Sequence, residues 1–273
     1  MRESSEISVS ELQSDQQAEV VIVASAFGAD AIRRDGHAVW AAVAARAGAS
    51  GFEVRRELFA RYADATPDAL RRLGEQIAAL GLWAVYSTPA TLFAADGSLD
   101  LAALKPAIDE AAALGARIVK LQLGGTEHGT ATDAATLDRA LSAIADSRAR
   151  VVVENGQLKA GGTIGAFSAL FDALPKDSRT LSMTFDTGNW LWAGENPAEA
   201  ARRLAPHVSY VHCKAVTGEG ARRFAVAPGA RDVLFAHLLK LLPRDVPRGI
   251  EFPFDAAAPE ADASAKVAWL AAA

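Results

Sequence analysis

The sequence predicts an α/β fold, a single (β/α)8 TIM barrel. Three observations lead there. The chain has 273 residues, close to the ~250 that one such barrel needs. Its segments alternate between helical patterns that end at a glycine and short apolar runs that begin a residue or two later. Eight such runs occur, spaced by roughly thirty-three residues, the length of one strand-helix unit.

The runs begin near Glu19, Gly51, Leu82, Arg117, Arg150, Leu181, Val208 and Gly249. Each is short and rich in Val, Ile, Leu, Tyr or Phe, the mark of a strand buried on both faces. Gly48, Gly81 and Gly115 close the preceding helices, because glycine takes the left-handed conformation cheaply. Thr66-Pro67-Asp68 starts one helix, with proline in its first turn. Asn196-Pro197-Ala198-Glu199 starts another. Ala103 to Leu114 and Val233 to Leu242 carry apolar residues at helical spacing. An open dinucleotide-binding sheet is disfavoured, since no Gly-x-Gly-x-x-Gly turn follows the first run.

Hydrophobic residues make up 51% of the chain and charged residues 22%, enough for an ordinary core. The net charge of −5 disfavours a nucleic-acid partner, whose phosphates require a basic face. Cys213 is the only cysteine. It excludes an intrachain disulfide and points to a reducing compartment. Residues 1–18 are polar and read as a flexible N-terminal tail, with 19–273 as the catalytic barrel. No apolar stretch approaches the ~20 residues that span a bilayer. A soluble, cytoplasmic protein without a membrane partner is expected.

In a barrel the chemistry gathers where the strands end. The last four runs each end on a metal-capable side chain: Glu154 after Val151-Val152-Val153, Asp186 after Leu181 to Phe185, His212 after Val208 to Val211, and Glu251 after Gly249-Ile250. Four such groups on consecutive strands converge near the barrel axis. Three carboxylates brought together out of water repel, and a divalent cation removes that cost. An oxygen-rich set with one imidazole favours Mn²⁺ or Mg²⁺, with Co²⁺ or Zn²⁺ as further fits.

Val-Glu-Asn at 153–155, Phe-Asp-Thr-Gly-Asn at 185–189, Val-His-Cys-Lys at 211–214 and Ile-Glu at 250–251 resemble the xylose-isomerase-like barrel superfamily. Sugar isomerases, D-tagatose 3-epimerase-like enzymes, inosose dehydratases and apurinic-site endonucleases belong to it. The resemblance runs from about residue 19 to 255. It implies one divalent ion, commonly Mn²⁺, on Glu154, Asp186, His212 and Glu251. It implies proton transfer by Glu154 and Glu251, through an enediolate of a small carbohydrate-like substrate, and a homodimer or homotetramer. A dehydratase-type lyase and a catalytically silent metal- or sugar-binding member are the alternatives. The endonucleases, with several zinc ions, would need more than the five histidines present.

Other residues complete the expected site. Lys214 shares the inward face of its strand with His212 and reads equally as a substrate contact or as a structural ion pair. Asn189, where relatives often place histidine, is expected to hydrogen-bond a hydroxyl. Gln122 and Lys120 alternate near the end of the fourth strand, as candidates for the pocket floor. Trp190, Trp192, Phe252 and Phe254 flank two ligand strands and are candidate pocket walls. Glu53 and Arg55 read as a structural pair. Cys213 reads as core, and His37, His207 and His237 as surface or packing residues. His128 reads as a loop residue. The basic residue that some epimerases carry six positions after the histidine is replaced by Gly218, leaving Arg222 or Arg223 of the same loop to supply it.

Overall fold

Parallel strands follow one another around the barrel in chain order and close it. In this computed structural model, residues 17–125, 133–175, 180–220 and 222–273 are described. Most of the expected tail, and His128, lie outside them. The barrel strands are β1 (Val20–Val23), β2 (Gly51–Arg55), β3 (Trp83–Phe93), β4 (Ile118–Gly124), β5 (Arg150–Glu154), β6 (Leu181–Asp186) and β7 (Val208–Cys213). A small antiparallel hairpin follows, β8 (Ala215–Thr217) and β9 (Phe224–Val226). Strand β10 (Arg248–Ile250) then pairs with both β7 and β1 and seals the barrel.

The helices form the outer layer: α1 (Ala29–Asp35), α2 (His37–Arg46), α3 (Pro67–Ala79), α4 (Leu101–Leu114), α5 (Ala134–Ile144), α6 (Ile164–Ala173), α7 (Asn189–Ala193), α8 (Pro197–Leu204), α9 (Val233–Leu241) and α10 (Pro259–Ala271). The expected starts hold to within a residue. Asn196 caps α8 through Oδ1, which accepts the Ala198 and Glu199 N–H groups. Gly115 ends α4 at φ +70°. Among the described residues no helix is long and apolar enough to cross a membrane.

Strand alternation separates two cores. Outward residues such as Ile22, Phe52, Val119, Val153, Phe185 and Ile250 pack against the helices. Cys213 joins them, fully buried, and burial pushes its thiol up to about 12. Inward residues Val21, Trp83, Val85, Ile118, Val152 and Tyr210 form a separate apolar plug in the barrel. Polar side chains begin above that plug, toward the strand C-termini, so the fold supplies a floor on which charged groups are held out of water.

A candidate metal centre and its cavity

Register brings the four strand-end residues together. Gln122 pairs with Glu154 across β4 and β5, and Asp186 with His212 across β6 and β7. Glu251 follows directly on β10, its N–H donating to the Cys213 carbonyl. One atom from each of Glu154, Asp186, His212 and Glu251 lies within 4.8 Å of all the others.

Each ligand is oriented by its own partners. The Asn155 side chain clamps the Asp186 backbone: Oδ1 accepts its N–H at 2.8 Å and Nδ2 donates to its carbonyl at 3.1 Å. Asp186 Oδ1 accepts the Gly188 and Asn189 N–H groups, each at 2.8 Å, which leaves Oδ2 turned inward. His212 Nε2 is 2.8 Å from Glu53 Oε2, which also accepts the Tyr210 hydroxyl at 2.9 Å. A carboxylate only accepts, so Nε2 carries the proton and Nδ1 faces the cluster. Gly249 makes room for both rings. A Cβ there would lie 2.4 Å from the Tyr210 hydroxyl oxygen and 3.0 Å from His212 Cδ2.

Two buried lysines and the half-buried Arg55 hold the carboxylates in place. Lys120 Nζ and Gln122 Nε2 both donate to Glu154 Oε2. Lys214 Nζ lies 2.6 Å from Asp186 Oδ2 and 2.8 Å from Glu251 Oε2. Arg55 donates to Glu251 Oε1 at 2.7 Å and also pairs with Glu57.

Burial lifts the Asp186 carboxyl to about 7; Glu251 and Glu154 add to the rise and Lys214 opposes it. Burial also works against charge on Glu154, yet Lys120 and His212 hold it well below the usual carboxylate range. Lys214, His212 and Arg55 do the same for Glu251. Burial disfavours the imidazolium of His212, but Glu53, Glu251 and Glu154 together raise its proton affinity well above normal.

These residues fit a divalent ion. Glu154 Oε1, Asp186 Oδ2 and His212 Nδ1 are buried and turned toward one another, Asp186 Oδ2 also meeting the Lys214 ammonium at 2.6 Å. Glu154 Oε1 lies 2.7 Å and Glu251 Oε2 3.2 Å from His212 Nδ1, so a protonated imidazole holds the two carboxylates together at this point. A divalent cation at that point, with His212 and Asp186 deprotonated, would meet carboxylate oxygens and one ring nitrogen, a donor set that such ions take.

A cavity of about 580 Å³ opens over this point, lined among others by Arg55, Gln122, Glu154, Asn189, Lys214 and Glu251. A cavity of about 660 Å³ around Arg248, Trp269 and the last residues of the chain carries no comparable ligand set.

Most candidates from the sequence meet here. Asn189 lines the cavity, though its amide donates to the Asn155 carbonyl at 2.8 Å and only Oδ1 is left without a partner. Trp190 is not brought to the cavity. Its ring is fully buried against Phe167 and Phe185, so it packs the helix layer. Trp192 is nearer the site, its ring 5.9 Å from Lys214 Nζ. Phe254 packs on Phe27 and Phe252 rather than on the cavity. Arg223 donates to the Leu191 carbonyl and, with Arg222, is outside the cavity lining. Glu53 and Arg55 do not pair with each other; each reaches a different ligand. The role of Tyr210 had no signal in the sequence. His37 is buried at the start of α2, where Nε2 accepts the Arg55 N–H at 3.2 Å.

Residues 41–273 match the family model described as the xylose isomerase-like TIM barrel. The chain belongs to that family. No curated protein matches it by sequence. Among solved structures, a D-psicose 3-epimerase determined in the presence of D-fructose is similar in fold: TM-score 0.63, 13% identity, 93% of this chain and 100% of that chain covered. A sugar phosphate isomerase/epimerase from Parabacteroides distasonis superposes at TM-score 0.61 with 16% identity, covering 94% and 97%. A probable 3-DHS dehydratase from Bacillus anthracis does so at 0.61 with 14% identity, covering 92% and 98%. At these identities the likeness is one of fold.

Proposed function

We propose that this family member is an isomerase or epimerase of a small sugar or related hydroxy-carbonyl compound, working with one divalent metal ion, Mn²⁺ fitting the ligands best. The observation that carries the reading is the convergence of Glu154, Asp186, His212 and Glu251, one atom of each within 4.8 Å of the others, beneath a cavity. Three carboxylates with one imidazole form a hard ligand set. A bound dication would supply positive charge against the oxygens of a carbonyl substrate as it loses a carbon-bound proton. The cavity volume suits a small polyol. Gln122, Asn189 and Lys214 offer it hydrogen-bonding groups, and Glu154 and Glu251 are the carboxylates at its wall.

One observation favours a lyase as the second reading. The Lys214 ammonium lies beside Glu251, where it could protonate a departing hydroxyl. Elemental analysis after Mn²⁺ supplementation should give close to one ion per chain. A panel of ketoses, keto acids and inososes in D₂O, followed by NMR and mass, should give products of unchanged formula. Loss of water selects the lyase. Tight metal with no turnover on the panel leaves the silent binding member.

A further inference from the structure

We infer that the two glutamates are not a matched pair, and that Glu251 alone moves the substrate proton while Glu154 is held as a closed ligand. The inference rests on the function proposed above and narrows it. A carboxylate oxygen offers about two lone pairs. Glu154 Oε1 is the oxygen turned to the ligand cluster, 2.7 Å from His212 Nδ1. Its other oxygen, Oε2, already accepts from both Lys120 and Gln122. No lone pair on Oε2 is left for a carbon-bound proton. Lys120 is 1% exposed and outside the cavity lining, so its half of the lock is built into the barrel floor, while Gln122 closes the second lone pair from the cavity wall.

Glu251 differs in both respects. Oε2 is the oxygen turned to His212 Nδ1 and Lys214. Oε1 accepts only from Arg55, which leaves it one lone pair. The Glu251 side chain is 14% exposed against 4% for Glu154. The open lone pair is therefore on the more exposed of the two carboxylates that line the cavity.

Epimerisation at one carbon needs an acid on the face opposite the base. Here a single base serves one face. Glu251 takes a proton from the hydroxyl-bearing carbon beside a carbonyl, and the C–H electron pair forms the new C=C bond as the carbonyl oxygen gains charge. The same proton then returns from Glu251 to the former carbonyl carbon. The hydroxyl proton on the first carbon passes to the former carbonyl oxygen, so that the first carbon becomes the new carbonyl. Nothing is gained or lost overall. The reaction class is a 1,2-isomerisation of aldose–ketose type.

The test uses bromohydroxyacetone on the full-length protein, with and without Mn²⁺, read by peptide mapping. A carboxylate oxygen with an open lone pair displaces bromide and forms an ester. Wild-type protein should be esterified at Glu251 in preference to Glu154 by roughly tenfold or more, the rate cost of displacing one hydrogen bond to a charged group. In Gln122→Ala, Oε2 gains an open lone pair and Glu154 should become labelled. Ester on Glu154 in wild type, none on Glu251, or no gain in Gln122→Ala would each overturn the inference.

A second arm uses Mn²⁺-loaded enzyme with D-fructose, D-tagatose and L-ribulose in D₂O. Isomer carrying fewer than one deuterium per product, because protium was carried across, supports the single base. A C3 epimer with one full deuterium overturns it. Absence of turnover on all three counts against the proposed function, while the labelling arm still decides the role of Glu154.

Discussion

Glu53 and His212, on strands at opposite ends of the chain, meet inside the barrel through Oε2 and Nε2 at 2.8 Å. Both are completely buried. A carboxylate behind a ligating imidazole fixes its tautomer and raises its basicity. Glu53→Gln should therefore weaken Mn²⁺ binding by about 10–100-fold, with the fold retained. Titration calorimetry gives the affinity. Nitrogen NMR of labelled histidine, at a pH where His212 has given up its second proton, should show the Nε2–H tautomer in the wild type losing its predominance in the variant.

Metal binding should release protons and weaken in acid. Asp186 titrates at about 7, raised by burial and its carboxylate neighbours, and His212 holds its proton well above the usual range. Both must be deprotonated to ligate. Below pH 7 the affinity should fall by about tenfold per pH unit for each proton displaced. Calorimetry at pH 7 in buffers of different ionisation enthalpy should report at least one proton released per ion. A pH-independent affinity between 6 and 8 would remove these groups from the ligand set.

Buried His37 should contribute a stability loss in acid. Burial lowers its folded value to about 4 from 6.5. The unfolded chain then binds the extra proton first, so this contribution is complete above pH 6.5 and is lost as pH falls toward 4. Its full size is about 3 kcal/mol. Urea unfolding at pH 7 and pH 4.5 should show a smaller loss in His37→Gln than in wild type. Equal losses would mean that His37 is protonated without leaving its place.

At Gly249 the prediction is steric. A methyl group would overlap the Tyr210 hydroxyl and crowd His212. Gly249→Ala should cost about 1–3 kcal/mol, as overpacked core sites do. It should also reduce metal affinity by tilting the imidazole. Urea midpoints and calorimetry on the same samples read both effects.

The ligand set was legible because each member follows an apolar run, so its depth in the barrel could be counted from the strand start. Strand parity even placed Lys214 inward with His212. Parity does not say which side chain faces which across a barrel. That is why Glu53, three strand steps from His212 around the barrel, read as a local partner of Arg55, and why Lys120 read only as floor. Trp190 was misplaced for a different reason. It directly follows Asn189, but both belong to α7, where successive side chains diverge by about 100°. One turns to the cavity and the other to Phe167 and Phe185. The hairpin β8–β9 escaped notice because three-residue strands carry too little periodicity.

Lys120, Lys214 and Arg55 have a consequence for how the protein matures. Many small metalloproteins cannot fold before their ion arrives, because nothing else offsets their gathered ligands. This barrel brings its own counter-charges: three fixed cations and a protonated His212 stand against Glu53, Glu154, Asp186 and Glu251. On the proposed metal-dependent reading, assembly and metallation are thereby uncoupled: the sheet can close first, and the ion taken is then set by supply and by exchange with an already finished protein.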